Sequence, residues 1–116
     1  MLRTGAQTTT PRPGENTTIG VVATNAKLTK AQAARLALMA DDGLARALFP
    51  SHTLGDGDTV FALATGGWNG TADVSTVGAL AADVLAEAIV RAAVMAKSSG
   101  GLPAAADLGT IPARLK

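Results

Sequence analysis

Two short stretches carry polar side chains at spacings that chemistry could use. Asn16-Thr17 stands at the mouth of a β-branched run, Thr18-Ile19-Gly20-Val21-Val22-Ala23-Thr24, directly after the breakers Pro11, Pro13 and Gly14. Cutting the peptide bond before Thr17 would leave one residue with both a hydroxyl and a free α-amine. A threonine hydroxyl is a poor nucleophile at its own pKa, and the amine would serve as its base. Without that cut, Thr17 is simply a β-former. The second stretch, Asp56-Gly57-Asp58, sets two carboxylates two residues apart ahead of another apolar run. On spacing alone this is a turn, or a weak metal motif that lacks further ligands. His52, the single histidine, reads as a loop residue rather than a catalyst, and Trp68 either lines a substrate pocket or anchors its loop.

Composition narrows the classes. A chain of 116 residues holds one domain at most, and 47% hydrophobic content is enough for a core. A formal charge of +1 leaves no electrostatic footprint for nucleic acid or an anionic membrane surface, so neither is expected as a partner. The absence of cysteine excludes a disulfide framework and thiolate metal sites, fits a cytoplasmic protein, and with one histidine argues against zinc. Residues 1–5 lack the apolar run of a signal peptide. The apolar segment 77–96 carries Asp83, Glu87 and Arg91, each of which would cost about 2.5–3.5 kcal/mol near the centre of a membrane helix. A buried helix of a soluble protein is the expectation.

The elements that must position these residues alternate between strand and helix. Residues 1–15 are polar and proline-broken and read as a linker. A strand over 17–24 alternates Ile19, Val21 and Ala23 with Gly20 and Val22, as in a strand covered on both faces. Thr29 with Gln32 three residues on is a capping box, and Ala33, Leu36, Ala40, Leu44 and Leu48 follow at helical spacing until Pro50 stops the run. Residues 58–65 read as a second buried strand. Asp73, Ser75 or Thr76 caps a second helix to about Lys97, apolar nearly all round and expected between two layers. The tail, 106–116, reads as irregular. The helix between the strands is what a parallel crossover requires, and parallel strands would bring both strand starts to one end of the sheet.

Three ordered blocks carry a resemblance: Asn16-Thr17-Thr18-Ile19-Gly20-Val21-Val22-Ala23-Thr24, Leu28-Thr29-Lys30-Ala31-Gln32-Ala33, and Asp56-Gly57-Asp58-Thr59-Val60-Phe61-Ala62-Leu63-Ala64-Thr65-Gly66. Together they resemble the small-subunit region, here 16–105, of the L-aminopeptidase/D-esterase family (peptidase family S58). That family includes β-peptidyl aminopeptidases and endo-type 6-aminohexanoate-oligomer hydrolases. The resemblance implies an α/β chain, the β-α-β-α half of an αββα sandwich of N-terminal-nucleophile type, whose precursor cuts itself before the nucleophile. It implies Thr17 as nucleophile, Asn16 across the cut, and Asp56 and Asp58 as the polar pair that contacts the nucleophile. It further implies a peptide or amide substrate and no metal or organic cofactor, and an oligomer is expected.

Family members carry a much longer region before the nucleophile, which supplies an oxyanion-stabilising Asn and a Lys. Only 15 residues precede Asn16 here, so the expectation is a small-subunit portion that needs a large-subunit region or chain as partner. An oxyanion hole is worth several kcal/mol of barrier, which is what that region would contribute. The rival expectation is an inactive fragment that serves as an oligomerising or structural domain through its apolar helices. A third, a binding module using Gly66–Gly70 for phosphate, lacks the Gly-Lys-Ser/Thr ending of a P-loop.

Overall fold

Residues 17–109 are described by a computed structural model. In chain order they form β1 (Ile19–Thr24), α1 (Lys30–Ala47), β2 (Thr59–Ala64), α2 (Val74–Met95) and a 3-10 turn, Ala105–Leu108. The expected linker 1–15 and Asn16 lie outside the described residues, as do 110–116.

α1 starts at the cap read from sequence, and of the three candidates for α2, Asp73, Ser75 and Thr76, it is Asp73 that caps. Thr29 Oγ1 accepts the Gln32 N–H at 3.3 Å while Gln32 Oε1 accepts the Thr29 N–H at 2.8 Å, so two donors of the first turn are satisfied. Asp73 does the same for α2, accepting the Thr76 N–H at 2.9 Å. Both strands are shorter than the apolar runs that announce them, because the first residues of each run are engaged at the strand mouths instead.

β1 and β2 pair in parallel, with Ile19 opposite Thr59 and Thr24 opposite Ala64. Both helices lie on one face of this sheet. Val22, Leu36, Ala40, Leu44 and Leu85 form the core, with Val60, Ala62, Val77 and Ala81 packed around it. Leu36 and Leu44 are fully buried, worth roughly 1.5–3 kcal/mol each in apolar transfer. The helices touch closely where Gly43 meets Ala82: a Cβ on Gly43 would come within 2.5 Å of the Ala82 carbonyl oxygen.

Two burial expectations are corrected. β1 is covered on one face within this chain: Ile19 is 69% and Val21 63% exposed, and Phe61 and Leu63 of β2 are exposed beside them. α2 also lacks a second layer, with Leu80 and Val84 open to solvent. The cause is shared, since one helix layer can shield only one side of a sheet. The charged residues of α2 are held on its wet side, where Asp83 pairs with Arg46 of α1 and Glu87 lies 4.0 Å from Arg91.

Past α2 the chain turns back on itself, and of the expected irregular tail 106–116 only residues 106–109 are among those described. The Ala104 N–H donates to Ser98 Oγ at 2.8 Å and to Asp107 Oδ2 at 3.1 Å, which folds residues 98–107 into a clasp around the buried Ala104. Among the described residues no helix is long and apolar enough to cross a membrane.

Candidate active site

Parallel pairing puts the N-terminal mouths of β1 and β2 side by side, and the residues just before each strand interlock. The Thr18 N–H donates to Asp58 Oδ1 at 2.6 Å, and the Thr18 carbonyl accepts the Thr59 N–H at 3.0 Å. Both faces of the Thr18 peptide are thereby tied to the head of β2. The short first bond is of the charge-assisted kind.

Asp56 braces the same corner from behind. Its Oδ1 accepts the Asp58 N–H at 3.1 Å and its Oδ2 the His52 N–H at 2.7 Å. The Asp58 N–H is the main reason the Asp56 carboxyl sits below its ordinary 3.8; partial desolvation opposes it, and the His52 N–H adds to it. Gly57 lies between the two carboxylates for a steric reason. A Cβ there would stand 2.5 Å from Thr17 Oγ1, so a larger residue would displace the Thr17 hydroxyl from its place against the turn.

Thr17, Thr18, Asp56 and Asp58 line one cleft of about 380 Å³. Leu48, Phe49 and Pro50 add an apolar wall, and Thr53 and Gly55 complete the lining. The cleft therefore offers an exposed hydroxyl, two carboxylates and an apolar wall within one concavity. Among the described residues no group of three or more His, Cys, Asp or Glu side chains is placed to hold a metal ion.

Of the residues singled out by sequence, Thr17, Asp56 and Asp58 come together. Asn16 lies outside the described residues. Trp68 is not brought to this cleft: its N–H donates to the Asn25 carbonyl at 2.8 Å, at the opposite end of the sheet. Six strand residues, roughly 20 Å, separate the two ends. His52 takes part through its backbone; its φ is 58°, and its ring Nδ1 lies 3.6 Å from Asp41 of α1. Sequence reasoning missed the apolar wall. Leu48-Phe49-Pro50 reads as a helix stop, and the one hint of more in the sequence is an aromatic residue just beyond the helix end; in the structure it is 97% exposed.

The profile of peptidase family S58 matches residues 2–105. The chain belongs to peptidase family S58. It is 47% identical to an uncharacterized aminopeptidase of Mycobacterium leprae over 84% of this chain and 31% of the relative. Uncharacterized aminopeptidases of Mycobacterium bovis and Mycobacterium tuberculosis are 44% identical, again over 31% of their length. This S58 chain thus spans about a third of the curated relatives it matches.

Proposed function

We propose that this chain is the nucleophile-bearing part of an S58 amide hydrolase of the aminopeptidase type, activated by scission between Asn16 and Thr17. The observation that carries the reading is the placement of the Thr17 hydroxyl in one cleft with Asp56 and Asp58, in a chain of a peptidase family.

In the activating step the Thr17 oxygen attacks the Asn16 carbonyl carbon, the C–N bond breaks, and the departing nitrogen takes the hydroxyl proton to become the α-amine. Water then hydrolyses the Asn16 ester. In turnover the same oxygen attacks the substrate's acyl carbon while the α-amine accepts the hydroxyl proton and passes it to the leaving amine. Water hydrolyses the Thr17 ester and restores the hydroxyl. Asp58 holds the backbone next to the nucleophile and Asp56 holds Asp58, so the pair orients Thr17 rather than reacting with substrate. The remaining length of the relatives supplies the second half of an αββα sandwich and the rest of the pocket.

The test uses the longer protein. Wild type is expected to yield two chains, the smaller beginning at Thr17 by mass spectrometry, and to release p-nitroaniline from aminoacyl p-nitroanilides. Thr17→Ala should do neither. Full turnover by the uncut chain sinks the self-processing step. A second reading, a purely structural domain, draws on the exposed apolar sheet face; it predicts no turnover in either protein.

A further inference from the structure

The loop of residues 48–58 joins α1 to β2 and carries both carboxylates of the candidate site without helix or strand of its own. Its backbone ties are local: the Leu48 N–H donates to the Leu44 carbonyl at 2.8 Å, and the Asp56 N–H to the Thr53 carbonyl at 3.0 Å. Neither joins the turn at Asp56 to the helix. His52 does so, because its ring Nδ1 lies 3.6 Å from Asp41 Oδ2 of α1 while its N–H donates to Asp56 Oδ2 at 2.7 Å. The Asp58 N–H on Asp56 and the Thr18 N–H on Asp58 carry the contacts on to the head of β1. One path of polar contacts thus runs from Asp41 to the residue beside Thr17.

The backbone of His52 shows how firmly this residue is held. Its φ of 58° lies in the left-handed region, where a Cβ crowds the backbone and glycine meets no such cost. A strained conformation persists where the surrounding contacts enforce it. Here a carboxylate stands at each end of the residue, Asp56 on the N–H and Asp41 on the ring. The ring contact is too long for a hydrogen bond, so the attraction is Coulombic and requires a protonated imidazole. The charges around the ring are acidic, Asp41 from α1 and Asp56 from the loop itself. Asp58 is engaged by Thr18, and Arg46 of α1 pairs with Asp83 instead. β1 brings hydroxyls alone until scission frees the Thr17 amine.

We propose that His52 is a positioning residue for Thr17: its imidazolium ties Asp41 of α1 to the Asp56-Gly57-Asp58 turn, so that the turn holds the Thr18 backbone more firmly when the ring is charged. The role of Thr17 rests on the reading of this chain as part of an S58 hydrolase; the tie itself does not.

Hydrogen exchange on the longer protein carrying Thr17→Ala tests the tie without cleavage or turnover. The amides to follow are those of Thr18, His52 and Asp58, each held by a carboxylate of the turn, with Gly20 and Val22 inside β1 as reference. Histidine changes charge between about pH 5 and 8. Asp56, held down first by the Asp58 N–H, stays charged across that range because its pKa lies below 3.8. Corrected for the pH dependence of exchange itself, protection of the three amides should be greater at about pH 5.5 than at about pH 8, by up to about fivefold for a pair this exposed. Asp41→Asn is close in shape, and His52→Gly keeps the N–H and adopts the φ freely. Each should abolish the pH difference at Thr18 and Asp58, and the two together should do no more than either alone. Equal protection at both pH values before these substitutions overturns the proposal, as does a pH difference that survives either one. With Thr17 intact, the rate of self-cleavage relative to that of Asp41→Asn should rise as pH falls, and a ratio flat with pH overturns the link to Thr17. A protein that never cuts itself yet shows the pH-dependent protection would defeat the proposed function and uphold the tie.

Discussion

The Asp56 carboxylate links the candidate site to stability through its protonation. Two backbone N–H groups favour its charged form, so its folded pKa lies below 3.8 while the unfolded chain keeps the ordinary value. In that window the unfolded state binds more protons, and stability rises with pH. The contribution is complete above the unfolded value and is lost as pH falls through the folded one. Wild type should therefore exceed Asp56→Asn in urea midpoint by a constant margin near neutrality, and the margin should shrink below about pH 3.8. A margin that stays constant to lower pH would show that the two N–H bonds do not tune this group. Sequence alone leaves Asp56-Gly57-Asp58 as a turn; what makes it a brace is that its acceptors meet N–H groups of Thr18 and His52, residues remote from it or folded back upon it.

Among the elements, the contact between α1 and α2 shows propensity and packing pulling in opposite directions. Alanine in place of an interior helical glycine gains about 1 kcal/mol in intrinsic propensity. At Gly43 the added Cβ would meet the Ala82 carbonyl at 2.5 Å, and backbone cannot yield as a flexible side chain does. Overpacking of this kind costs about 1–3 kcal/mol. Gly43→Ala should therefore lower stability despite the better helix former, read as a lower urea midpoint with unchanged slope. A stabilised variant would mean that the helices have room to part. The helices themselves were legible from their caps and spacing, since Thr29, Gln32 and Asp73 act locally. That Gly43 is an interhelical contact was not legible, because its partner lies 39 residues on.

For the whole molecule, the telling feature is the bare face of the sheet. Ile19, Val21, Phe61 and Leu63 are each more than half exposed, a contiguous apolar patch of a kind that marks interaction surfaces. The 116-residue chain alone should bind a hydrophobic dye strongly and sediment faster as its concentration rises, and the longer protein should do neither. A dye-silent, monomeric chain would show that these side chains are shielded within it. The patch also explains why strand composition misleads here: β1 has the residues of a doubly covered strand, although this chain covers one side.

Local chemistry in the sequence determined the strand and helix order, the Thr29–Gln32 cap and the parallel crossover that sets both strand starts at one end of the sheet, because each depends on neighbours a few residues away or on the connection between elements, whereas the pairing of Thr17 with Asp56 and Asp58 followed from the family resemblance. The tertiary structure alone decided that Leu48, Phe49 and Pro50 wall the cleft, that Trp68 stands at the other end, and that one face of the sheet is open. Those outcomes depend on distances between residues far apart in the chain, and on a helix layer that covers one side of the sheet.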